Sequence, residues 1–275
     1  MAGGLIPPSV TKNMKRYLKL YCHFFKNCWM RELEFRLNLI IWTVMDFVFF
    51  AMVIISVELI FGQVSSIAGW RREEVLLLAC VTGLFNDFLW TFVHLNLLFF
   101  SDLIRQGNLD FVLLKPVNSR FLVSARYFEF DHWLRIIFLS FLLVKLLGGL
   151  SAELTMFSWL NFLLLFFLGI FIFYNLYFMM TTTNFWFIRI FNLEDLFDSL
   201  TAVGRVPVYV FKGGARLFFI YIIPVAFIAT FPVQALLGRL DLRMILVAIV
   251  LALTFFYLSQ KFWNFALRHY SSASS

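Results

Sequence analysis

Apolar runs long enough to cross a bilayer follow one another along this chain, and charge collects in the short stretches between them. A hydrocarbon core roughly 30 Å thick takes about 20 mainly apolar residues per helical crossing. Runs of this kind extend from Leu37 to Phe61, Val75 to Phe100, Trp133 to Leu150, Met156 to Thr181, Leu217 to Leu237 and Met244 to Phe262. They predict an all-α polytopic membrane protein with six transmembrane helices. The third run is the shortest and carries Arg135 and Lys145 near its two ends, where long cationic side chains can snorkel to the headgroups. Pro224 and Pro232 lie toward the far end of the fifth. Proline removes a backbone donor and clashes with the preceding turn, so a kink and a partly re-entrant outer region are expected over residues 224–240.

The segments between the runs carry patterns of their own. Met14, Tyr17, Leu18, Tyr21, Phe24, Phe25 and Cys28 recur at helical spacing, with Lys12, Arg16, Lys19, His23 and Lys26 on the opposite side. Such a basic amphipathic helix lies flat at a membrane surface, either as a simple cationic anchor or as an elbow leading into the first span. The chain then divides into an N-terminal part over residues 1–36, a membrane domain over 37–262 and a tail over 263–275. Within the domain, loops at 101–132 and 184–216 are expected on one side of the bilayer.

Composition fixes the class. Hydrophobic residues make up 62% of the 275 positions and charged residues 14%, with 38 phenylalanines and a mean hydropathy of +0.86. A soluble domain carries about 25% charged residues, so lipid is the solvent for most of this surface. The net charge of +7 reads as basic loops drawn to anionic headgroups and not as a nucleic-acid surface. With the N-terminus inside, 18 of the 23 Lys and Arg fall on the cytoplasmic side. That asymmetry predicts cytoplasmic N- and C-termini. Cys22, Cys28 and Cys80 form no CxxC pair and act as small apolar side chains, and no cleavable signal peptide is expected.

Polar residues stand inside the spans, among them Asn161 and Asn175 in the fourth, which read as packing contacts. Asp46 and Asp87 lie near mid-depth, where a carboxylate costs about 2.5–3.5 kcal/mol on insertion scales and must face protein or water. Asp87, Trp90, Thr91 and His94 share a helical face, with Asn86 beside it. The set Asp46, Asn86, Asp87 and His94 is a candidate translocation path, or a set of interhelical contacts in which Asp46 bonds Asn86 or His94. No HExxH or CxxC spacing marks a metal site, and apart from the adjacent Asp131-His132, which would point away from each other on a helix, no histidine has a companion at catalytic spacing, so a membrane-embedded lipid-modifying enzyme is the remoter alternative. An ion-coupled carrier using Asp46 and Asp87 is the nearer alternative, although matching broken spans in two halves, its usual sign, are lacking.

The loop at 101–132 contains Gly107-Asn108-Leu109-Asp110-Phe111-Val112-Leu113-Leu114-Lys115-Pro116, large apolar side chains that need a cover. This run, with Arg205-Val206-Pro207, Ile223-Pro224-Val225-Ala226-Phe227, Phe231-Pro232 and Leu236-Leu237-Gly238 in the same order, resembles the permease subunits of type-2 ATP-binding-cassette (ABC) exporters. The resemblance implies half of an ATP-driven exporter in a bacterial inner membrane, paired with a second permease subunit, similar or identical, and served by separate ATPase subunits. It makes Leu109, Asp110, Phe111, Leu113, Leu114, Lys115 and Pro116 a coupling helix that docks on the ATPase. Lys115 stands where the commoner pattern has arginine, which replaces a bidentate fork with a point charge. No GxxxxGK[ST] loop occurs in the chain, so ATP and Mg are expected on the partner, with no cofactor bound here.

Overall fold

The computed structural model describes residues 14–150, 155–187 and 193–270. The outermost N-terminal residues with Lys12, the tail after Tyr270, and the part of the 184–216 segment that includes Arg189 lie outside them. Among the described residues the fold is helical throughout, and one isolated bridge joins Ile67 to Trp70.

Helix α1 (Met14–Glu34) and α2 (Arg36–Phe61) are nearly continuous. A long helix α3 (Arg72–Arg105) follows, with a π turn at Trp90–His94. The single turn α4 (Asp110–Leu113) and the short α5 (Ser119–Ser124) lead into α6 (Trp133–Gly148). Then come α7 (Met156–Phe185), α8 (Leu193–Ala202), the bent pair α9 (Gly213–Ile222) and α10 (Val225–Leu236), and α11 (Arg243–His269).

Four of these, α2, α3, α7 and α11, are long and apolar enough to cross a membrane, and the bent pair raises the number to five. The six expected crossings are therefore not all matched by length. At about 1.5 Å per residue, the 16 residues of α6 reach about 24 Å. The expected break in the fifth run is present: α9 and α10 meet at 66°, and Ile223 N–H donates across the π turn to the Phe218 carbonyl at 3.0 Å just before Pro224. The whole of Thr230–Val233 is buried, so α10 is a core element and not a lipid-facing one.

Helices α3 and α7 form the centre. The core contains Leu77, Leu78, Phe85, Leu97 and Phe100 from α3 and Leu165, Ile172, Phe173 and Phe178 from α7. Helix α11 lies along α7, α6 lies along α3, and α10 wedges between α3 and α7. Only 11% of the apolar window of α2 is buried, against 67% for α3. Helix α2 is therefore wrapped by lipid or by another chain over most of its circumference. At one end of the bundle Arg72 bonds Glu58 (2.6 Å) and Arg239 bonds Glu74 (2.8 Å), tying the α2–α3 and α10–α11 turns to the start of α3.

Close packing depends on one glycine in α7. A Cβ at Gly169 would stand 2.5 Å from the Phe227 carbonyl oxygen and 3.2 Å from the Phe85 ring. The neighbour that must move is backbone. Gly169→Ala is expected to destabilise the fold by about 1–3 kcal/mol, read as a lower melting temperature in detergent. Gly148→Ala, whose Cβ meets nothing within 4 Å, is expected to leave the melt unchanged or raise it.

Candidate functional site: a two-faced turn and the polar links behind it

At Gly107 the backbone takes a left-handed conformation (φ +70°), which glycine adopts without steric cost, and the chain turns directly into α4. Residues three apart on a helical turn share a side. Leu109 and Val112 point inward and are buried, while Phe111 and Leu114 point outward, 68% and 72% exposed. Leu113 is half-buried against the core. Asp110 is partly covered, and Lys115 and Pro116 are exposed. Leu109 was expected among the contacts to a partner; its complete burial gives it an anchoring role in this chain instead. At the end of α11, burial and the neighbouring Asp110 carboxylate raise the pKa of the Tyr270 phenol.

The turn is joined to the bundle just downstream. Asn118 caps α5 by accepting from the Phe121 N–H (3.2 Å), and its own N–H donates to the Tyr17 hydroxyl of α1 (3.3 Å). Two residues on, Arg120 is buried among neutral acceptors. It donates to Asn175 Oδ1 on α7 (2.7 Å) and to Ser259 Oγ (2.8 Å) and Gln260 Oε1 (2.8 Å) on α11. Its guanidinium carbon lies 4.5 Å from the Phe178 ring centre. One side chain thus links the segment after the turn to both long helices. Sequence reading missed it. The signal was an arginine in a short apolar run, matched by isolated Asn and Ser/Gln positions on two otherwise apolar helices.

A second polar group lies deeper. Arg135, in the first turn of α6, donates from Nε to both Asp87 oxygens (3.0 Å each) and pairs with Asp46 Oδ1 (3.2 Å). The other oxygen of Asp46 meets His132 Nδ1 at 2.6 Å. The expected bond from Asp46 to Asn86 or His94 is replaced by these contacts, because α6 packs along α3 and brings Arg135 to the two carboxylates. Arg135 accordingly turns inward and does not snorkel. His94 goes elsewhere: the π turn stacks it on Trp90 (3.7 Å between ring centres) and places Nδ1 3.3 Å from the Tyr177 hydroxyl. Asn86, Trp90, His94, Tyr177 and Thr201 line a cleft of about 10 Å³, room for roughly one water.

Glu129, Asp131 and His132 bring one donor atom each within 4.8 Å of one another. They do not follow the HExxH or CxxC spacing sought in the sequence, and chain folding ahead of α6 gathers them. Three donors are fewer than the four of a closed zinc site.

The pairing of Arg135 with Asp87 makes a stability prediction. Arg135→Gln strands a fully buried carboxylate and is expected to cost about 3–5 kcal/mol. Combining it with Asp87→Asn should recover much of that loss. Thermal unfolding of both variants in detergent checks the pair.

A family model described as ABC-2 family transporter protein matches residues 47–274. Neither the curated proteins nor the solved structures compared with the chain give a match. The matched interval takes in the Arg120 links, the two-faced turn, the bent α9–α10 pair and all the long apolar helices except the start of α2. With most of its length matched, the chain belongs to the ABC-2 family of membrane transport proteins.

Proposed function

We propose that this chain is the permease subunit of an ATP-driven exporter, supplying half of a translocation pathway and coupled to a separate ATPase through α4. The observation that carries this reading is the two-faced turn. Leu109 and Val112 root it in the bundle, while Phe111 and Leu114 stand exposed, with no cover from the described residues. Burying two such side chains in a partner contributes about 1.5–3 kcal/mol each, worth roughly a hundredfold or more in affinity.

In this reading α6 is a sixth, shorter span, helped across by local thinning of the bilayer. The basic end of the chain and the tail are cytoplasmic, the membrane is a bacterial inner membrane, and α1 is the interfacial elbow. A second permease subunit covers part of α2. Nucleotide closure of the ATPases displaces α4, and Arg120 carries that displacement to α7 and α11. ATP and Mg belong to the partner, since the chain lacks a phosphate-binding loop. The ion-coupled alternative needs carboxylates available to a passing ion, whereas Asp87 is already engaged by Arg135.

Replacing Phe111 and Leu114 together with Asp is expected to leave membrane insertion intact and abolish co-purification of the ATPase. Leu109→Asp should instead impair folding of the permease itself. Retention of the ATPase by the double variant would remove α4 as the docking element. Arg120→Lys keeps the charge and loses the planar fork. With the complex in vesicles, it is expected to lower transport by about tenfold, the equivalent of one lost charge-assisted bond, while ATP hydrolysis changes much less. Equal loss of both would reduce Arg120 to a folding residue. Transport driven by an ion gradient without ATP would favour the carrier reading.

A further inference from the structure

Beside the turn lies a cavity of about 80 Å³, walled by α1, α3 and the loop that follows α4. Phe24, Phe99 and Tyr127 supply aromatic walls, and Lys115 and Arg126 supply two cations; its lining contains no acidic side chain. Among the described residues neither cation has a carboxylate within ion-pair distance. The Arg126 guanidinium rests 5.3 Å from the Tyr127 ring centre.

Arg126 is nevertheless held firmly by its backbone. Asn96 Oδ1 accepts from the Arg126 and Tyr127 N–H groups at 2.8 Å each, and Asn96 Nδ2 donates to the Tyr127 carbonyl at 2.7 Å. The Cys28 thiol points to the Arg126 carbonyl at 3.7 Å. Asn96 Nδ2 also donates to the Phe92 carbonyl of its own helix at 3.0 Å, so a buried asparagine rooted in α3 makes its three other bonds to two consecutive residues and fixes where the arginine emerges. The contrast with Arg120 and Arg135 is chemical: each of those has its acceptors inside the chain, while the Arg126 guanidinium is positioned as carefully and finds no acceptor among the described residues.

We infer that this cavity binds the phosphate of an anionic phospholipid, with Lys115 and Arg126 on the phosphate oxygens and the glycerol and upper acyl carbons against Phe24, Phe99 and Tyr127. Two unpaired cations match a headgroup of net negative charge, since a zwitterionic headgroup brings its own ammonium. Arginine offers the fork that phosphate oxygens accept, and lysine adds a point charge. The aromatic walls favour a lipid over a soluble phosphate. Helix α1 carries exposed Met14, Leu18, Met30 and Leu33, which suit the acyl boundary where such lipids are found. Because Lys115 also lies on the turn proposed to meet the ATPase, a lipid held there would fix the turn's position against the membrane.

The full-length chain, exchanged into nanodiscs of phosphatidylcholine and phosphatidylglycerol at three to one and then extracted into mild detergent, is assayed for retained lipid by native mass spectrometry. The wild type is expected to retain phosphatidylglycerol in preference to phosphatidylcholine. Lys115→Gln and Arg126→Gln should each weaken retention by about tenfold, the loss of one charge-assisted contact. Arg126→Lys should keep most of it. Lys115 is exposed, so its variant reports on binding even if Arg126→Gln does not fold. Equal retention by wild type and Lys115→Gln would overturn the site. Release of the lipid by millimolar inorganic phosphate, without preference between the two lipids, would assign the cavity to a soluble phosphate and overturn the lipid reading. The assay requires no ATPase, so its outcome is separate from that of the coupling proposal.

Discussion

Arg135 solves the main electrostatic problem of this fold. Two carboxylates, Asp46 and Asp87, are placed on helices whose other residues are overwhelmingly apolar, and one guanidinium from the start of α6 reaches both. A charge in hydrocarbon must find a partner or leave, and this one holds three helices in register. The dependence is greatest for α2, whose remaining surface is largely uncovered. Apolar contact with α3 and α6 gives α2 its proximity; the Asp46–Arg135–His132 set, with the Thr43 hydroxyl donating to the Asp131 carbonyl at 2.9 Å, fixes its rotation and height.

The same economy operates at the other polar centre. Arg120 has hydroxyl and amide acceptors only, so its charge is solvated by dipoles and by the faces of Phe178 and Phe256. These acceptors come from α7 and α11, whereas the residue itself belongs to the segment that follows α4. Any displacement of that segment must move those helices or break several bonds. The aromatic ladder from α1 gives a second hold on the same loop: Tyr17 meets Phe121, Tyr21 meets Phe128 and Trp29 meets Phe130, all edge to face. The apolar side of α1 is thus spent partly on protein, and only the remainder is available to lipid.

Helical class and the long apolar helices were legible because hydrophobicity over some 20 residues is a dense signal, and the break before Pro224 because proline has one backbone consequence. The shortness of α6 was legible too, in its length and its terminal cations. Which way Arg135 turns was not, since snorkelling and ion pairing draw on the same side chain and only the approach of α2 and α3 decides between them. Leu109 and Phe111 look alike in a list of apolar loop residues. Their opposite fates follow from a turn of four residues whose phase the sequence leaves open. Arg120 and Asn96 were hidden for a related reason: each acts through partners 30 to 140 positions away, and local pattern carries nothing about them.

The enclosure of α10 has a mechanical consequence. Its residues lie against α3 and α7 and scarcely touch the surroundings, so a thinner or thicker bilayer has no surface on which to pull it. Long helices answer mismatch by tilting; this short one is carried by its neighbours as a fixed stopper. The position of α10 is therefore set by protein packing and is insulated from the thickness of the bilayer around it.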